Sequence, residues 1–143
     1  MQGFFEFLVI MCCAVFAGAA IYINLVEHPA RMTCDIRAAW QQWQASYQRA
    51  VSMQAPLALA GLVFAVLAWL FGASGWVLIG GLLLGAVVPF TLKVIMPVND
   101  ELKSLTGEQA EAQAEPLLRR WNELHQVRSG LSLLALIILV AQA

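Results

Sequence analysis

Four apolar stretches separated by polar ones organise the chain. The first runs from Phe4 to Val26, the second from Ala55 to Phe71 and the third from Trp76 to Met96, while the fourth ends in an unbroken apolar run from Leu131 to Ala141. At a helical rise of about 1.5 Å per residue the first covers about 34 Å, enough to cross a hydrocarbon core of about 30 Å. The last run alone covers only about 16 Å. To span, it must draw in residues back to about Leu124, which carries His125 and Arg128 to the membrane boundary or inside it. The pattern predicts transmembrane helices at about residues 4–26, 54–71, 76–96 and 124–142 of a single integral membrane domain, 1–143.

The polar intervals punctuate these helices. Pro29 lacks a backbone donor and predicts an end or kink around Glu27-His28-Pro29. From Asp35 to the second stretch there is neither glycine nor proline, so helix two is expected to begin outside the membrane. Gly72-Ala73-Ser74-Gly75 is short enough only for a hairpin between antiparallel neighbours, and Trp69 and Trp76 flank it as interfacial anchors do. Gly81 and Gly85 have the small-xxx-small spacing that lets backbones approach in lipid, a face through which a homo-oligomer would pack. Thr106 with Gln109 fits a capping box, so another helix starts there, to be kinked or restarted by Pro116. The fold expected is all-α: a four-helix transmembrane bundle, up-down-up-down, with helical extensions on the cytoplasmic side.

Composition supports lipid as the solvent: of 143 residues, 61% are hydrophobic and 12% charged, against about 25% charged in soluble domains. A net charge of −1 without a basic tract excludes a nucleic-acid partner. Arg31, Arg37 and Arg49 lie between helices one and two. Lys93, Lys103, Arg119, Arg120 and Arg128 lie between three and four or at the start of four. The positive-inside rule therefore places both polar connections in the cytoplasm and both termini outside, in the inner membrane if the source is bacterial. Ala17-Gly18-Ala19 resembles a signal cleavage site, but Glu6 stands where a signal peptide carries positive charge, so a retained helix is expected. Cys12, Cys13 and Cys34 make no disulfide framework.

Candidate chemistry gathers at the basic end. Asn24, Glu27, His28 and Arg31 share one face of helix one if the chain stays helical past Pro29, and Trp121, His125, Arg128 and Ser132 form a stripe on helix four. Tyr47 and Gln54 approach from helix two, Thr91 and Asn99 from helix three, and Arg120 lies beside Trp121. Together they would enclose a polar pocket under an apolar roof. Ionisable groups at this depth need partners; a purely structural alternative pairs Glu27 with Arg128 or Arg120 as a clamp. Arg37, Arg49 and Arg119 read as topology signals, Glu111, Glu115 and Arg119 as an ion-paired solvated face, and Trp40 and Trp43 as interfacial.

At these residues the sequence resembles the anthrone oxygenase-like family of small four-helix membrane proteins, whose bacterial members are mostly of unknown function. The resemblance rests on Gly18-Ala19-Ala20-Ile21-Tyr22 with Glu27-His28-Pro29-Ala30-Arg31, on Gln54-Ala55-Pro56, on Pro89-Phe90-Thr91 with Ile95-Met96-Pro97-Val98-Asn99, and on the segment from Arg120 to Ser129. It implies oxidation of a planar, lipophilic molecule by molecular oxygen, with no flavin, haem or metal required. On that reading His28 or His125 is the base, with Glu27 and Arg128 in the same catalytic group. Arg128 with Asn99 or Gln54 holds an oxyanion, and Trp121 and Tyr47 stack on a flat ligand.

Two other classes compete. His28, His125 and Glu27 would ligate a transition metal, or the histidines a haem iron. A non-catalytic membrane binding or structural module is the third class. A transporter fits less well, because four helices are few and no internal repeat is visible.

Overall fold

The computed structural model describes residues 1–143 as four helices and no strand: α1 (Gln2–Arg31), α2 (Ile36–Leu70), α3 (Gly75–Ser104) and α4 (Gly107–Ala141). Each is long and apolar enough to cross a membrane. Successive helices pack side by side, α4 returns to α1, and α2 meets α4 across the diagonal.

Local chemistry sets the boundaries. The Asp35 carboxylate accepts the Ala38 N–H at 3.0 Å and starts α2, and Ser74 caps α3 through the Trp76 N–H. Gly72, at φ 102°, makes the turn between them in a conformation that side chains resist. The Thr106–Gln109 capping box opens α4, which passes Pro116 without interruption. The helices have 30, 35, 30 and 35 residues. A helix of that longer length reaches about 50 Å, well beyond a hydrocarbon core of about 30 Å. With so tight a turn between α2 and α3, the surplus projects toward the basic end.

Pro29 does not end α1. The backbone widens to a π-turn over Ile23–Glu27, where the His28 N–H reaches the Ile23 carbonyl, and the helix then continues to Arg31. Widening by one residue relieves the clash of a proline ring with the carbonyl four residues before it. The third helix does the same: a π-turn at Thr91–Ile95 precedes Pro97 as the first precedes Pro29.

Two apolar cores result. One joins Val9, Cys13, Phe16, Ala65, Leu84, Val87 and Leu139 near the termini and the α2–α3 turn. The other joins Ile23, Trp40, Trp43, Ile95, Leu102, Leu118 and Trp121 at the basic end. Buried polar side chains of Asn24, Gln54, His125, Ser129 and Ser132 lie along the helices between them. This corrects two expectations. Trp40 and Trp43 are not interfacial but buried, and the Trp40 indole donates to the Leu102 carbonyl at 2.8 Å. The polar residues are therefore not at an open end of the bundle, because a tryptophan-rich layer packs beyond them.

Gly81 and Gly85 are spent inside the chain. A Cβ on Gly81 would collide with Ala65 of α2, and one on Gly85 would lie 2.9 Å from Leu62. They set the α2–α3 approach, so a homo-oligomer cannot use that face. Gly81→Leu should therefore destabilise the protein by about 1–3 kcal/mol through overpacking. Gly18→Leu, where nothing lies within 4 Å, should leave it nearly unchanged; thermal unfolding in detergent micelles compares the two.

Candidate functional site

The π-turn of α1 aims Asn24 at α4, and one amide organises three partner residues. Asn24 Nδ2 donates to Asn122 Oδ1 at 2.7 Å and to the Asn122 carbonyl at 3.3 Å. Its Oδ1 accepts the Ser129 hydroxyl and lies 3.0 Å from His125 Nδ1. Because Nδ2 is committed to acceptors, Oδ1 must receive, so His125 carries its hydrogen on Nδ1. Nε2 is left with its lone pair and no protein partner, the form in which an imidazole can accept a proton.

Glu27 does not reach α4, as a clamp would require. Arg31, one turn on, donates to Glu27 Oε1 at 2.9 Å and to Ser46 Oγ at 3.0 Å, and its Nε donates to Gln42. Gln42 Nε2 completes the ring by donating to Glu27 Oε1 at 3.0 Å. Arg31 is only 4% exposed, so this pair is integral to the α1–α2 contact. Arg120 is at the surface, paired with Glu123 at 3.1 Å, and takes no part in the site.

Arg128 differs from Arg31 in having no carboxylate. Its one hydrogen bond goes to the neutral Gln54 Oε1 at 2.8 Å, and its guanidinium stands 5.4 Å from the Phe16 ring centre. Tyr47 stacks on Trp43, with ring centres 5.1 Å apart, and accepts a hydrogen bond from Asn99 Nδ2 at 3.1 Å. Trp121 stacks on His125 at 4.8 Å, and the Arg31 guanidinium lies 5.7 Å from its centre. The indole is thus already occupied by protein partners.

These side chains surround a small chamber of about 20 Å³, room for about one water molecule. Glu27, Arg31, Ser46, Tyr47, Gln54, Trp121, His125 and Arg128 line it, with Ile23, Ala50 and Val51 as its apolar wall. Four residues of this lining carry a buried N–H group with no acceptor in the protein: Arg31 Nη1, Gln54 Nε2, Trp121 Nε1 and Arg128 Nε. Buried donors of this kind are uncommon in proteins, and four of the residues that carry one line this chamber, while Trp43, whose Nε1 is also unpaired, lies outside it. The lining also offers two acceptors without a protein donor, His125 Nε2 and the second carboxylate oxygen of Glu27.

The sequence-predicted residues divide accordingly. Glu27, Tyr47, Gln54, Trp121, His125 and Arg128 line the chamber; Asn24 and Asn99 stand behind it, fixing His125 and Tyr47. Thr91 bonds back to the Val87 carbonyl at 2.6 Å and faces a second, apolar groove. His28 is buried with its ring centre 6.3 Å from that of Trp121, outside the chamber lining, and its Nδ1 has no partner. The three side chains weighed as metal ligands do not converge. Glu27 is taken by Arg31 and Gln42, His125 Nδ1 by Asn24, and no group of three or more His, Cys, Asp or Glu side chains is placed to hold a metal ion.

Sequence reasoning placed Arg31 on one face with Glu27 but gave it no role in the site, and it missed Gln42, Ser46, Asn122 and Ser129. The continuation of the helix past Pro29 is what turns that spacing into a buried pair. Removing one partner of a buried pair leaves the other charge uncompensated. Arg31→Met should therefore destabilise the protein by about 3 kcal/mol, and adding Glu27→Gln should recover more than half of the loss. Unfolding of the three variants in one detergent measures this.

A family model described as anthrone oxygenase matches residues 43–138, most of the chain. The match begins at Trp43 in α2, covers α3 and ends near the close of α4, so Asn24, Glu27, His28 and Arg31 lie before it. No curated protein matches, and no solved structure does.

Proposed function

The chain belongs to the anthrone oxygenase family, and from that premise we propose that a planar, lipophilic molecule is held with its reacting edge at the small chamber beside His125 and is oxidised there by molecular oxygen. The observation that carries this reading is the set of four unpaired N–H donors around one histidine with a free lone pair. Such a set suits an oxyanion that forms during reaction in a site where water does not compete.

The chemistry follows from these groups. A ring methylene conjugated to a carbonyl has an acidic C–H, and His125 Nε2 takes that proton. The electron pair moves onto the carbonyl oxygen, where Arg128 and Gln54 hold the resulting enolate. The enolate passes one electron to dioxygen, and the two radicals join through a new C–O bond to give a peroxide anion on the same carbon. Protonated His125 returns the proton to the peroxide. Loss of the second methylene proton with cleavage of the O–O bond then leaves a carbonyl and releases water. The sum is CH2 plus O2 giving C=O plus H2O, and no other oxidant or reductant is needed.

Within this reading His125 is the base and His28 is not, since only His125 lines the chamber. His125→Ala should lower turnover of an anthrone by about 10²–10⁴-fold. His28→Ala should act far more weakly, through the packing of Trp121. Oxygen uptake and quinone absorbance measure both, with thermal unfolding as a check on folding; full turnover in folded His125→Ala protein would overturn the assignment.

We also propose that the basic end faces the cytoplasm, as the distribution of lysine and arginine favours. Exposed Cys34, between α1 and α2, provides a reporter. In cells expressing a Cys12→Ala, Cys13→Ala background, a membrane-impermeant maleimide should not label Cys34 until the membrane is broken. After Ser74→Cys it should label the new thiol in intact cells; the reverse pattern inverts the topology.

A further inference from the structure

A second cavity of about 110 Å³ lies against the chamber, between α2 and α3. Nine of its eleven lining residues are hydrophobic, among them Phe16, Ala55, Ala58, Val88 and Leu92. Val51 and Leu92 are 38% and 58% exposed at its mouth, on two helices each long and apolar enough to cross a membrane. Tyr47, Val51 and Arg128 line both cavities, so only these side chains partition the groove from the chamber.

The charge in that partition defines the occupant. Arg128 is the only charged residue of the groove lining, and the bundle supplies it with no carboxylate. Its position along the groove is equally informative. From Tyr47 to Ala58 the lining of α2 extends about 16 Å at helical rise. Gln54, which holds the guanidinium, stands between these limits. The cation therefore meets the groove part-way along its length, not at an end. An amphiphile with a terminal acidic head would leave either the head short of Arg128 or much of its apolar body outside.

We infer that the α2–α3 groove is the membrane-side access route and body-binding part of the site. It selects elongated lipophilic molecules whose acidic oxygen projects from the long edge toward Arg128. This rests on the reading of the chamber as the reacting part, and it adds where the molecule comes from and which way it lies.

The test reads binding without chemistry. The full chain in phosphatidylcholine nanodiscs is titrated, without oxygen, with anthracene-9-carboxylate, whose acid is on the long edge, and with anthracene-2-carboxylate, whose acid is at an end. The 9-isomer should bind at least about tenfold more tightly. Arg128→Gln should remove that preference, Val51→Trp and Ala55→Phe should each weaken the 9-isomer about tenfold, and Arg120→Gln should change nothing. Equal binding of the isomers, a preference that survives Arg128→Gln, or indifference to both groove-filling variants in folded protein would overturn the inference. So would displacement of both probes by oleate with no isomer preference, which would assign the groove to lipid acyl chains. Because no turnover is measured, a failed His125 assignment leaves this result intact, and a missing isomer preference leaves the His125 assignment intact.

Discussion

A polar layer inside a membrane bundle must satisfy its own hydrogen bonds, because hydrocarbon offers none. That constraint shapes this protein more than any apolar contact. Asn24 spends its amide on Asn122, His125 and Ser129, and Arg31 spends its charge on Glu27 and its remaining reach on Gln42 and Ser46. Seven buried polar atoms stay unpaired, and four of them, on Arg128, Gln54, Trp121 and the outer nitrogen of Arg31, are donors on residues that line one chamber. Unpaired donors gathered in one cavity are a specification for what should enter it.

The two π-turns make this layer possible. A regular α-helix through Pro29 would set the proline ring against the carbonyl four residues earlier, and a break there would release Glu27, His28 and Arg31 from the bundle. One added residue in the turn absorbs the clash and keeps these side chains on the inner face. The second π-turn, at Thr91–Ile95, lies beside the apolar groove and carries Thr91 and Leu92 into its wall. Both irregularities adjoin cavities, as such turns often do at functional sites.

Much of this was legible in the sequence. The apolar stretches gave the four spans, and the short glycine-rich turn and the capping box fixed where α2 and α4 meet their neighbours. The arithmetic of a fourth run too short to span brought His125 and Arg128 into the bundle. Other features were hidden for physical reasons. Trp40 and Trp43 look interfacial because composition alone cannot distinguish a helix leaving the membrane from one entering a second core. Gly81 and Gly85 look free for a partner because the same close approach serves a neighbour in the same chain. Pro29 looks like a terminus because a one-residue change of winding leaves no mark in a pattern of hydrophobic positions. Arg120 looks like part of the cluster because it adjoins Trp121 in sequence, but neighbours on a helix are turned about 100° apart and Arg120 faces out to Glu123.

The tryptophan-lined core at the basic end has one more consequence. It packs Trp40, Trp43, Leu102 and Leu118 beyond the polar layer, while the chamber adjoins an apolar groove between α2 and α3 and an open one between α1 and α2. A lipophilic reactant entering by the α2–α3 groove would come from the bilayer. Dioxygen is itself apolar, and the effect that drives hydrocarbon out of water concentrates it in that same phase. The oily reactant and the gas would share one reservoir, and a quinone formed there would return to the bilayer instead of crossing into water.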